Sequence, residues 1–150
     1  MDKADRRILQ TLQEEPMLTM RELGEKTGIS HTPCWRRLDK LKKAGVVEEK
    51  RYIIDPEAAG FGIKIICLVR LEEHSCEQMQ EFERAVVNVP EVLQCYTITG
   101  DYDCMLQVIA KDVADYESTV KNSLMRLPNV GSINTSLALK EIKNTSKIPL

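Results

Sequence analysis

The chain of 150 residues, 43% hydrophobic and 29% charged, is long enough for one ordinary domain or two small ones with a packed core, which excludes wholesale disorder. Its best apolar stretch, Ile63 to Leu71, is broken by Lys64 and Arg70 and falls short of the roughly 18 residues of a membrane helix. The start, Met1-Asp2-Lys3-Ala4-Asp5-Arg6-Arg7, is charged where a signal peptide is apolar, so a soluble, cytoplasmic protein with no membrane partner is expected; the net charge of −2, taken whole, says nothing about nucleic acid.

The first predicted elements are three short helices. Helix one follows Asp2, buries Ile8, Leu9 and Leu12 on one stripe and ends before Pro16. Helix two opens on Thr19-Met20-Arg21-Glu22, the pattern in which side chain and backbone cap each other reciprocally. It buries Met20 and Leu23 and stops at Thr27-Gly28, where glycine tolerates a left-handed exit. Ile29 plugs the turn, Ser30 or Thr32 caps helix three, and Pro33 suits that first turn. On a helical wheel Cys34, Leu38 and Leu41 face the core. Thr32, Arg36, Lys40 and Lys43 fall opposite, with Asp39 beside them and Trp35 on the flank.

Gly45 ends helix three, and Val46-Val47-Glu48 is expected to pair with Tyr52-Ile53-Ile54 as a short hairpin around Glu49-Lys50-Arg51. Two helices joined by a tight turn, the second basic on its outer face, describe a winged helix-turn-helix over residues 1–55. Charge points the same way. Residues 1–55 hold 12 Lys/Arg against 10 Asp/Glu, and residues 56–150 hold 9 against 13. A solvated helix face gives the same asymmetry, so the count alone does not choose between the two.

Residues 56–62, with one proline and two glycines, read as a linker. Then come a strand at 63–71, a helix at 75–88 burying Met79, Phe82 and Val86, and strands at 92–99 and 104–110. A second helix at 113–127 places Tyr116, Val120 and Leu124 inside, and a last strand runs over 130–139. Val89-Pro90-Glu91-Val92 recurs 38 residues later as Leu127-Pro128-Asn129-Val130, each proline at a helix-to-strand junction. Residues 63–150 therefore read as two βαβ halves, a ferredoxin-like βαββαβ domain in an α+β chain. The sheet face away from the helices is expected to be apolar and covered by a second subunit.

Catalytic signatures are weak. The five cysteines, at 34, 67, 76, 95 and 104, are odd in number and form no CxxC pair, which argues against a disulfide framework or a thiolate zinc site. Cys34, Cys67, Cys95 and Cys104 read as buried, Cys76 as exposed. His31 and His74 lack HxH or HExxH spacing. No catalytic residue, metal or cofactor is predicted. The loop Gly100-Asp101-Tyr102-Asp103 has two readings: an ordinary hairpin turn, or a site whose aspartates accept an ammonium group while backbone N–H groups near Gly100 hold a carboxylate, the two ends of a free amino acid.

The run Ser30-His31-Thr32-Pro33-Cys34-Trp35-Arg36-Arg37-Leu38 together with Gly100-Asp101-Tyr102-Asp103 resembles the Lrp/AsnC (leucine-responsive, or feast/famine) family of transcriptional regulators. The opening Asp2-x-x-Asp5-x-x-Ile8-Leu9, the Asp55-Pro56 junction and the closing Thr145-Ser146-Lys147-Ile148-Pro149-Leu150 extend the likeness along the chain. The resemblance implies double-stranded DNA as partner, dimers through the second domain, octamers or larger assemblies, and a small amino-acid effector bound between dimers. It nominates Ser30, His31, Thr32, Arg36, Arg37, Lys40 and Lys43 for DNA. Arg36 is expected on a base edge or phosphate and Lys40 and Lys43 on phosphates, while Arg37 is either a DNA contact or an internal salt bridge. For the effector it nominates Gly100, Asp101, Tyr102 and Asp103, with Thr135 and Ser136 from the last strand. The implied function is a sequence-specific regulator responsive to an amino acid. The alternatives are an architectural DNA-wrapping protein with little effector response, and a small amino-acid-binding or enzymatic module.

Overall fold

Helix α1 (Lys3–Glu14) starts where Asp2 and Asp5 cap each other. The Asp5 N–H donates to Asp2 at 2.9 Å and the Asp2 N–H to Asp5 at 3.0 Å, which satisfies two donors that a first turn otherwise leaves orphaned. Helix α2 (Met20–Thr27) uses the expected Thr19–Glu22 box, and Gly28 leaves it in the left-handed region at φ 67°, a conformation that costs a residue with a Cβ. Helix α3 (His31–Lys43) follows with Ser30 at its cap position. In this computed structural model residues 1–48 and 52–150 are described.

Ile8, Leu23, Cys34 and Leu38 form the core of the three helices, with Leu12, Met20 and Ile29 packed on it. The expected wing is not seen as strands: residues 46–48 and 52–54 are irregular, and its turn, Glu49-Lys50-Arg51, lies outside the described residues. Tyr52 and Ile53 are 93% and 92% exposed, whereas Val47 packs on the helical core.

The chain divides into two units, Met1–Ile53 with Lys143–Leu150, and Ile54–Ile142. Although the sequence reading carries the second domain to Leu150, by their contacts residues 143–150 group with the first unit. There Gln10 and Gln13 of α1 hydrogen-bond their backbone.

The second unit runs β1 (Ile63–Leu71), α4 (Cys76–Val86), β2 (Val92–Thr97), β3 (Cys104–Ala110), α5 (Val113–Asn122) and β4 (Val130–Leu137). The sheet has the order β2-β3-β1-β4, every neighbouring pair antiparallel. Strand alternation sends Ile65, Cys67, Val69 and Leu71 of β1, with Cys104, Leu106, Val108 and Ala110 of β3, into a core shared with Phe82, Val86, Leu124 and Leu127. The opposite face carries Ile66, Leu68, Met105 and Ile109 amid Gln94, Gln107, Asn134 and Ser136.

Four elements depart from their expected bounds, and α4 spans Cys76–Val86 within the expected 75–88. α5 stops at Asn122, and a 3-10 turn over Leu124–Arg126 buries Leu124; Leu127 is then extended at ψ 140°, because the residue preceding a proline is driven out of helical geometry. β2 and β4 each end two residues earlier than expected. Cys95, expected to be buried, is exposed, since β2 is an edge strand of the sheet.

Candidate nucleic-acid interface and effector loop

The inward stripe of α3 decides what its other side offers. With Cys34, Leu38 and Leu41 buried, Ser30, His31, Thr32, Arg36, Lys40 and Lys43 all lie exposed. The Ser30 hydroxyl makes no capping hydrogen bond among the described residues. The first-turn N–H groups and that hydroxyl are therefore open to an anionic oxygen. Trp35 is 52% exposed.

The two adjacent arginines are put to different use. Arg37 donates from one guanidinium nitrogen to Asp2 at 2.6 Å and to Asp5 at 2.8 Å. The Asp5 N–H and then Arg37 hold the Asp2 carboxyl down at about 2. Asp5 is lowered for the matching reasons, the Asp2 N–H first and Arg37 second. Of the two readings for Arg37, the internal ion pair is the one present. Lys43 pairs with Asp39 at 2.7 Å. Among the described residues no ion pair engages Arg36 or Lys40; both border a shallow hollow of about 450 Å³ with Pro33, Arg37, Asp2 and Asp5.

The Gly100–Asp103 loop joins β2 to β3, with Gly100 at φ 119°, a backbone that L side chains rarely adopt. The end of β1 clamps it. The Asp103 N–H donates to the Val69 carbonyl at 2.9 Å. The Asp103 carboxylate accepts the Leu71 N–H at 2.8 Å and meets His74 Nε2 at 2.8 Å. The Leu71 N–H first, and His74 next, keep this carboxyl below its ordinary range. Arg70 donates twice to the Asp101 carbonyl, at 3.1 and 2.7 Å, and its guanidinium lies 5.4 Å from the Tyr102 ring centroid, within cation–π reach. Asp103 is thus occupied in holding the loop, whereas the Asp101 side chain is exposed.

Thr135 and Ser136 do not join this cluster. Alternation along β4 sends them to opposite faces, Thr135 beside Cys67 and Ser136 beside Ile66. Thr135 Oγ1 is 2.7 Å from the Tyr116 hydroxyl, which is itself 3.1 Å from Cys67 Sγ. Burial, and then the Cys67 thiol, push Tyr116 up to about 12. Arg70 and His74 were missed from sequence. The weak signal for Arg70 was a basic residue interrupting an apolar strand; His74 had none. Among the described residues no group of three or more His, Cys, Asp or Glu side chains is placed to hold a metal, and no helix is long and apolar enough to cross a membrane.

Residues 64–148 match the model of the Lrp/AsnC ligand binding domain, and residues 1–48 match a winged helix-turn-helix DNA-binding model. The chain belongs to the Lrp/AsnC family of transcriptional regulators. This Lrp/AsnC member is 32% identical over 150 residues to the DNA-binding transcriptional activator DecR of Escherichia coli (strain K12), covering 100% of this chain and 99% of the relative. It is 30% identical over the same length to the leucine-responsive regulatory protein of Rhizobium meliloti (strain 1021), covering 100% and 96%. Among solved structures it matches an AsnC family transcriptional regulator from Agrobacterium tumefaciens at 33% identity and TM-score 0.93, covering 99% of this chain and 97% of that one. A transcriptional regulator from Neisseria meningitidis solved as an L-Met complex matches at 35% identity and TM-score 0.92, covering 99% and 96%. The α+β class read from sequence, a winged helix-turn-helix followed by a ferredoxin-like domain, is the fold of this family.

Proposed function

We propose that this Lrp/AsnC regulator reads operator DNA with α3 and adjusts that binding, or its own assembly, to a free amino acid. The observation that carries the DNA half is the contrast on α3: Arg37 is neutralised by Asp2 and Asp5, while Arg36 and Lys40 stand exposed. In the major groove, Arg36 meets a base edge or phosphate and Lys40 and Lys43 meet phosphates. Ser30, His31 and Thr32 approach the backbone at the helix start. Arg37 acts behind them by fixing α3 to the start of α1. The protein works in the cytoplasm as a regulator, not an enzyme, on roughly palindromic sites matched to a two-fold dimer.

For the effector, the L-Met complex of the Neisseria relative supports an amino acid. Here the Asp101 carboxylate takes the ammonium group and backbone N–H groups near Gly100 take the carboxylate. Tyr102 lies against the ligand, and Asp103 keeps the loop in shape through Leu71 and His74. Thr135 and Ser136 contribute only from a neighbouring subunit. Dimers form through the open sheet face and associate further, to octamers or larger rings.

Fluorescence anisotropy on the protein's own upstream DNA and on a scrambled duplex, at fixed salt, tests this with each of the standard L-amino acids. Preference for the upstream DNA, shifted by one or a few amino acids, is expected. Equal binding to both duplexes, unmoved by any amino acid, would sink the proposal in favour of architectural wrapping.

A further inference from the structure

Gln10 and Gln13 lie one turn apart on α1 and hold a segment from the far end of the chain. Gln13 addresses one residue twice: its Oε1 accepts the Ile148 N–H at 2.7 Å and its Nε2 donates to the Ile148 carbonyl at 3.2 Å. Gln10 Nε2 donates to the Leu150 carbonyl at 2.6 Å. A carboxamide carries both a donor and an acceptor, so it reads a peptide as a neighbouring strand does. The spacing also fits. Helix neighbours three apart have Cβ atoms about 5–6 Å apart, and two residues of extended chain advance about 7 Å.

The segment behaves unlike a fraying end. Residues 143–149 are exposed, but Leu150 is half-buried, and the Lys147 N–H donates to Thr145 Oγ1 at 3.1 Å. The chain passes between the two units twice, at Ile53–Ile54 and at Ile142–Lys143. The second passage can transmit anything only if the residues beyond it are anchored, and these hydrogen bonds are the anchor. The helix they grip, α1, is also the one whose Asp2 and Asp5 hold Arg37 of α3.

We infer that α1 carries a docking surface for the chain's own Ile148–Leu150 segment, and that the docked tail is a strap through which the effector-binding unit acts on the DNA-reading helix. The inference rests on the effector-responsive reading above and adds the route by which the response travels. A change in the second unit pulls on α1 through the strap, and α1 passes it to α3 through the Arg37 clamp. Coupling of this kind is a difference in free energy between sites, so weakening the strap weakens the response and not DNA binding itself.

The test uses the full-length protein and the double variant Gln10→Ala/Gln13→Ala, with far-UV circular dichroism melts establishing that the variant folds. Amide hydrogen exchange followed by NMR is expected to show the Ile148 N–H protected in the wild type and about fivefold less so in the variant. Anisotropy with each standard L-amino acid added singly is expected to show amino-acid-free DNA affinity within about twofold of wild type, and an effector-driven shift about threefold smaller. An unprotected Ile148 amide in the wild type overturns the docking. A variant that responds as strongly as the wild type overturns the strap while leaving the effector reading intact. A wild type that binds its upstream DNA but answers to no amino acid overturns the effector reading, and the strap with it, before the variant is made.

Discussion

Arg36 and Arg37 are neighbours with the same side chain and opposite surroundings. On the wheel Arg37 already sits beside the apolar stripe, and there it finds Asp2 and Asp5; Arg36 points away with no acid partner among the described residues. Arg36→Ala should therefore weaken binding to upstream DNA about tenfold and reduce the salt slope by about one, with the dimer mass by light scattering unchanged. Arg37→Ala should instead lower the melting temperature, because Asp2 and Asp5 are left facing each other without their cation. A smaller dimer fraction in the Arg36 variant, or an unshifted melt in the Arg37 variant, would reverse the two roles. Asp103 carries a second duty within the loop: sequence offers it as an ammonium acceptor, and the Leu71 N–H and His74 each meet one of its oxygens.

Among the elements, the start of α1 is a pH-sensitive joint. The carboxyls of Asp2 and Asp5 are lowered in the folded state, Asp2 to about 2 against an ordinary 3.8. A group with a depressed folded-state pKa binds its proton more readily when unfolded. Its stabilisation is complete above the ordinary value of about 4 and is lost as pH falls towards about 2. Trp35, the only tryptophan, lies on α3 two residues before Arg37 and reports on the unfolding of that helix. Its emission should stay constant from neutral pH to about 4 and change below that, with the midpoint moved upward in Arg37→Ala. An identical midpoint in both proteins would remove the clamp from the account. Element boundaries were legible where alternation or caps were strong. β1 and β3 fall on their predicted residues, as do the Thr19 box and Gly28. They were not legible where local and tertiary demands compete, as at the foreshortened α5 and the wing.

At the scale of the whole molecule the sheet face away from the helices carries an apolar patch that the chain itself covers only in part. Ile66, Leu68 and Met105 lie half-buried together there beside the buried Ile109, ringed by polar side chains that strand alternation brings to the same side. An apolar patch rimmed with polar groups is the anatomy of a subunit interface. Leu68→Arg is expected to halve the mass seen by size-exclusion chromatography with light scattering, while far-UV circular dichroism shows the sheet retained. An unchanged mass would place the dimer contact elsewhere.

Periodicity, capping boxes and the two helix–proline–strand junctions were enough, from the amino acids alone, to find the three-helix module, the βαββαβ order, the outward basic face of α3 and the Gly100–Asp103 loop. These are local or near-local properties, set by spacing along a helix or strand. What only the tertiary structure decided are the pairings across long stretches of chain. Arg37 meets Asp2 and Asp5, Arg70 and His74 take hold of the Gly100–Asp103 loop, Thr135 turns to Tyr116 and away from Ser136, and Gln10 and Gln13 hold the tail. Such partners are chosen by where whole elements come to rest. A polar side chain has many equivalent partners in the sequence, but in the fold its choice is limited to those that packing brings within hydrogen-bond reach.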